Sequence, residues 1–130
     1  MEAQVRRIVH PFALLASLLA MPAVSIAAED VDFETEIRPI LEDRCITCHG
    51  AERQKGALRL DRPDGVFPDH EDEWLIRPGE PLQSPLFQRL ILPADDLDIM
   101  PADGEPLDEE QIALLRAWIE QGAEWPREAS

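Results

Sequence analysis

The stretch "CITCHG", residues 45–50, holds both cysteines of a 130-residue chain, and a histidine directly follows the second. Three soft ligands within five positions, with cysteine used nowhere else, admit three chemistries: a redox-active thiol pair, part of a zinc site, or covalent attachment of haem. The sequence on either side decides among them, and with them the fold.

Upstream, "VDFETEIRPILEDRC" places Phe33, Ile37 and Leu41 at i, i+4 and i+8, one apolar stripe of a helix with Asp32 as its N-cap. Pro39 either kinks this helix or restarts it. Cys45 falls at its C-terminal end. Downstream, "GALRLD" alternates Leu58 and Leu60 in a short extended segment, and residues 62–81 read mostly as loop, with "RPDG" as a turn and "DHEDEW" as a solvated acidic run. "SPLFQRLI" offers Ser84 as N-cap and Pro85 at the first helical position, with Leu86, Phe87, Leu90 and Ile91 turned inward.

The last helix is the most clearly written. In "PLDEEQIALLRAWIEQGAEWP", Asp108 and Gln111 form a capping box, Leu107 staples onto Ile112, and Ile112, Leu115, Trp118 and Ile119 make the buried stripe. Gly122 supplies the stop. Two terminal helices with apolar stripes predict a mostly α domain in which they cross, with the cysteine pair and a long loop between them.

Compartment decides what two thiols can do. Arg6 and Arg7, then an apolar stretch, then small residues at Ser25, Ala27 and Ala28 have the layout of a secretory signal peptide over residues 1–28. An uncleaved membrane anchor is the alternative, which Pro22 and the small-residue cleavage site disfavour. The organisation expected is a signal peptide, 1–28, and one domain, 29–130, in the periplasm or an equivalent extracytoplasmic compartment. Loss of Glu2, Arg6 and Arg7 leaves 26 of the 27 acidic and 10 of the 12 basic side chains, so the net charge moves from −15 to −16. Nucleic acid and anionic membrane surfaces are poor partners for such a chain. About a hundred residues make a marginal core, which calls for added stabilisation.

The three chemistries can now be weighed. A thioredoxin-like pair belongs after a strand in a βαβ pattern, but here a helical stripe precedes it. A zinc site needs four ligands in tetrahedral array, and adjacent Cys48 and His49 cannot easily join Cys45 on one metal with only His70 left as a fourth. Haem attachment uses every residue: Cys45 and Cys48 as thioethers to the two vinyl groups, and His49 as the proximal iron ligand. For the second axial ligand the chain after residue 28 offers Met100, in the proline-stiffened loop "DDLDIMPADGEP", and His70, among acids in "PDHEDEW". The polar flanks of Met100 argue against a gap-filling core methionine, so Met100 is the ligand expected and His70 an exposed histidine.

The stretches "IRPILEDRCITCHG", "GALRLD", "RPGEPLQSPLFQRL", "IMP" and "LDEEQIALLRAWIEQGAEWP", in this order, resemble class I c-type cytochromes and most closely the planctomycete-type cytochrome c domain. The resemblance spans most of residues 33–126 and departs from the expected glycine-rich region at the acidic "PDHEDEW". It implies a small helical domain around one haem c per chain, with Cys45 and Cys48 covalently attached and His49 and Met100 as axial ligands. The function expected is single-electron transfer rather than enzymatic catalysis, with a basic redox protein as partner. The alternatives are a haem-based ligand sensor or peroxidase-like domain with an open sixth position, and a docking module whose haem chiefly holds the fold. Leu58, Leu60, Phe87, Leu90 and Trp118 are candidates for the apolar wall around the iron. Arg59 and Arg89 are candidates for pairing with haem propionates, although a solvated arginine is the default reading at either position.

Overall fold

A computed structural model of the protein describes residues 29–126; the expected signal peptide lies outside the described residues. The first helix starts where its cap predicts. Asp32 Oδ1 accepts hydrogen bonds from Thr35 N (2.8 Å) and Thr35 Oγ1 (2.7 Å), and these bonds hold the Asp32 carboxyl below its usual pKa. Phe33–Ile37 winds as a π-helical turn, closed by the Arg38 N–H on the Phe33 carbonyl. Pro39 then restarts the chain as α1, Arg38–Arg44, sitting in its first turn, where proline is tolerated.

α2 is the single turn Ile46–His49, and α3, Pro63–Val66, is another. α4 runs over Pro85–Leu90 and α5 over Glu109–Glu120. Short 3₁₀ turns, Lys55–Ala57, Glu71–Glu73 and Pro81–Gln83, punctuate the connections. Among the described residues there is no β-strand, only an isolated antiparallel bridge between His49 and Gln54. The architecture is mostly α, as the two stripes predict.

The terminal helices cross through their aromatic residues. Phe33 lies 5.6 Å from Trp118 and 4.6 Å from Trp125 between ring centroids, and Ile37, Leu115 and Ile119 fill the space beside them with at most 1 % exposure. Full burial of each such side chain stabilises the fold by about 1.5–3 kcal/mol. α5 opens with the capping box, Gln111 N donating to Asp108 Oδ1 (2.8 Å) and Asp108 N to Gln111 Oε1 (3.2 Å). It closes in a Schellman arrangement: Gly122, at φ +110°, donates to the Ile119 carbonyl, and Ala123 donates to Trp118. A residue with a Cβ at position 122 would be strained in this left-handed conformation.

Three expectations need correction. Ser84 occupies the N-cap position of α4, but its hydroxyl does not cap. Fully buried, it accepts from Arg77 N (2.8 Å) and donates to the Glu80 carbonyl (2.9 Å), because the loop before α4 folds back onto it. Of the four residues expected to face inward on α4, Phe87 and Leu90 are buried and Leu86 is half-buried. Ile91 is 46 % exposed, since the helix ends at Leu90. Finally, "RPDG" is not an open turn: Pro63 starts α3, and Val66 and Ile76 from this irregular stretch are each 1 % exposed. The acidic turn Glu71–Glu73 is solvent-exposed as expected.

Candidate cofactor cleft

Cys45 ends α1. Its N–H still bonds to the Leu41 carbonyl (2.9 Å), but its backbone leaves helical geometry at φ −124°, and α2 begins a new turn. Within that turn the Cys45 carbonyl accepts from both Cys48 N (3.2 Å) and His49 N (2.9 Å). The two thiols and the imidazole are thus delivered by one tight reversal. Gly50 closes it, because a Cβ there would collide with the Ile46 carbonyl.

The chain then loops back to fix the histidine. His49 Nδ1 lies 2.8 Å from the Lys55 carbonyl, and Leu60 N donates to the His49 carbonyl (2.7 Å). A carbonyl only accepts, so the ring proton sits on Nδ1 and the lone pair on Nε2. A metal-ligating imidazole is held in the same way: the bond to the carbonyl fixes the ring's orientation and leaves Nε2 free to ligate.

Met100 comes from a distant segment. Its N–H donates to the Arg89 carbonyl at the end of α4 (3.1 Å), and its side chain is half-buried against the core. Cys45, Cys48, His49 and Met100 all line one cleft of about 690 Å³, within the ~300–1,000 Å³ typical of cofactor and ligand sites. His70 does not line it and is solvent-exposed.

The walls are apolar. Leu58, Leu60 and Leu90 belong to them, as the sequence suggests, but Phe87 and Trp118 do not: both are buried in the core behind, packed with the terminal helices. Leu75, Leu86 and Pro101 take their place. Leu75 is brought there by paired main-chain bonds, its N–H to Val66 and its carbonyl from Leu86, which no local pattern announces.

The rim carries charge. Of the nine basic side chains in residues 29–126, Arg44, Arg53, Lys55 and Arg89 line the cleft, an accumulation in a strongly acidic chain. Arg59, the other candidate for propionate pairing, does not: it forms a two-pronged pair with Asp61, both N–O distances 2.7 Å, and the guanidinium holds the Asp61 carboxyl below its ordinary pKa. Arg89 does line the cleft, and also pairs with Asp98 (2.8 Å).

This donor set discriminates among the chemistries. Burial pushes the Cys45 thiol up to about 11, against the weaker opposing pull of Arg44, so it is protonated at neutral pH and unsuited to attack as a thiolate. Among the described residues no three His, Cys, Asp or Glu side chains converge as the tetrahedral donor set that zinc takes. Haem is an apolar macrocycle with two carboxylates and an iron that takes nitrogen and thioether ligands. An apolar cleft with a cationic rim, two half-buried unpaired thiols, a tautomer-fixed imidazole and a thioether fits it.

No curated protein and no solved structure matches the chain. Residues 45–104 match the model of the family described as Planctomycete cytochrome C, a span that begins at the first cysteine and ends four residues past Met100. The segment that builds the cleft is thus similar to planctomycete cytochrome c domains, and the cofactor this similarity implies is haem c.

Proposed function

We propose that the protein is a monohaem c-type cytochrome that carries single electrons outside the cytoplasm. The observation that carries the reading is the meeting of His49, its Nδ1 bonded to the Lys55 carbonyl, with Met100 in one apolar cleft that also holds both cysteines. Cys45 and Cys48 would hold the haem as thioethers, and His49 Nε2 and the Met100 thioether would be its axial ligands. Bound haem supplies a one-electron couple at its iron.

The chain's own residues set the conditions for that couple. Leu58, Leu60, Leu75, Leu86 and Leu90 exclude water, which disfavours the more highly charged oxidised state. The Lys55 carbonyl, bonded to Nδ1, orients the imidazole so that Nε2 is the nitrogen left to ligate. Met100, a soft donor, would favour the reduced iron and would occupy the position that an oxygen- or ligand-binding haem protein keeps open. Among the described residues that line the cleft, His49 is the one histidine, which leaves no distal imidazole for peroxidase-like proton transfer.

A visible spectrum of the purified protein in both redox states, taken with a denaturing gel stained for haem, tests this proposal. A reduced spectrum of a low-spin, six-coordinate c-type haem that stays with the polypeptide on denaturation is the expected result. A high-spin reduced spectrum would instead place the protein among ligand-binding haem proteins.

A further inference from the structure

Residues 92–106 bear Met100, and little holds them in place. Their internal bonds are short-range turns: Asp96 N to Pro93 O, Ile99 N to Asp96 O, and Asp98 N to Asp96 Oδ1. Leu97 is fully exposed. Among the described residues, every side-chain hydrogen bond that reaches this segment from elsewhere comes from a cation of the cleft rim.

Those cations are placed on either side of the methionine. Upstream, Arg89 Nη1 donates to the Asp98 carbonyl (3.1 Å) and pairs with the Asp98 carboxylate (2.8 Å), while the Arg89 carbonyl receives the Met100 N–H. Downstream, Lys55 Nζ pairs with Asp103 (3.2 Å), and Arg44 donates to the Glu105 and Pro106 carbonyls. Lys55 therefore touches the surroundings of both proposed ligands: its carbonyl orients His49, and its ammonium reaches across to Asp103 in the Met100 segment.

We propose that Lys55 and Arg89 are positioning residues for Met100, an ionic clasp that keeps the methionine segment closed over the cleft. The proposal rests on the reading of Met100 as axial ligand. Both ion pairs are exposed, with Lys55 and Arg89 side chains each 48 % accessible, so each is weak and screened by salt. That weakness gives the clasp its signature: ionic strength should loosen the Met100 segment without unfolding the domain.

Carbon monoxide is the suitable probe, because it is uncharged and salt cannot steer it. It binds ferrous haem only when the sixth position opens. In the wild-type holoprotein its association rate should rise about two- to thirtyfold between low salt and ~1 M salt, the range for losing two exposed ion pairs. The double variant Lys55→Met, Arg89→Gln should bind at the raised rate already in low salt and show no further rise. In the ferric state its methionine-to-iron charge-transfer band should weaken. Arg89→Lys, which keeps the charge, should lie between.

A double variant that binds carbon monoxide at the wild-type rate and with the wild-type salt response overturns the clasp. Met100→Ala separates that failure from a deeper one: if it binds no faster than wild type, Met100 is not the gate, and the ligand reading fails together with the clasp.

Discussion

Leu60 joins three parts of the structure. It is 5 % exposed, it lines the cleft, and its N–H donates to the His49 carbonyl. Leu60→Ala removes the side chain and leaves that amide bond in place, so the histidine keeps its main-chain support while the wall behind it is lost. Truncation of a buried leucine costs about 2–5 kcal/mol, and a site that opens onto a cleft belongs at the low end because neighbouring groups can settle into it. At ~2–3 kcal/mol, with ~4–8 °C of Tm per kcal/mol in a domain of this size, the holoprotein should melt about 8–24 °C lower. Water admitted beside the iron stabilises its oxidised charge, so the reduction potential should fall as well. Thermal unfolding by circular dichroism and a spectroelectrochemical titration read the two effects, with Leu82→Ala, at a 53 % exposed position, as the control that should change neither. If Leu60→Ala keeps both the wild-type Tm and the wild-type potential, the apolar wall described here plays no part in either.

The apoprotein should lack a stable fold. Without haem the apolar wall of Leu58, Leu60, Leu75, Leu86 and Leu90 faces water, forgoing roughly 25 cal/mol per Å² of apolar surface left unburied in a domain whose net stability is only ~5–15 kcal/mol. Cys45→Ser with Cys48→Ser, purified without haem, should show no cooperative thermal transition; a sharp melt would contradict this. Electrostatic steering should follow from the net charge of −15 and the exposed Glu71–Glu73 turn. A cationic small-molecule oxidant should react faster than an anionic one at low ionic strength, and the difference should shrink as salt shortens the Debye length from ~30 Å at 0.01 M to ~8 Å at 0.15 M. Equal rates for the two oxidants would show that the cationic rim of the cleft, not the net charge, governs approach.

What the sequence made legible is what depends on near neighbours. Asp32 caps through Thr35, Asp108 through Gln111, and Gly122 stops α5 through bonds to residues within one turn, so the residue types alone identify each device. The "CITCHG" motif is legible for the same reason: its bonds close within a single turn around the Cys45 carbonyl. Ser84 has the right residue type and position for a cap, but its partners, Arg77 and Glu80, come from a fold-back that no helical pattern encodes. Phe87 and Trp118 were read correctly as buried, yet burial does not say which cavity a side chain faces, and tertiary packing turned both to the core. The histidine's partner was invisible for a different reason: the Lys55 contribution is a backbone carbonyl, which every residue owns. Arg59 and Arg89 look alike in sequence; each pairs with an aspartate, Asp61 or Asp98, and only the tertiary fold places Arg89 and not Arg59 on the cleft rim.

The central claim is that His49 and Met100 close both faces of one covalently held haem. The most direct test is a carbon monoxide titration of the reduced holoprotein in three forms: wild type, Met100→Ala and His70→Ala. Wild type and His70→Ala should bind weakly and slowly, and Met100→Ala should bind tightly while its haem stays attached through Cys45 and Cys48. If His70→Ala opens the iron while Met100→Ala leaves it closed, or if the wild type already binds as tightly as an open haem, the account is contradicted.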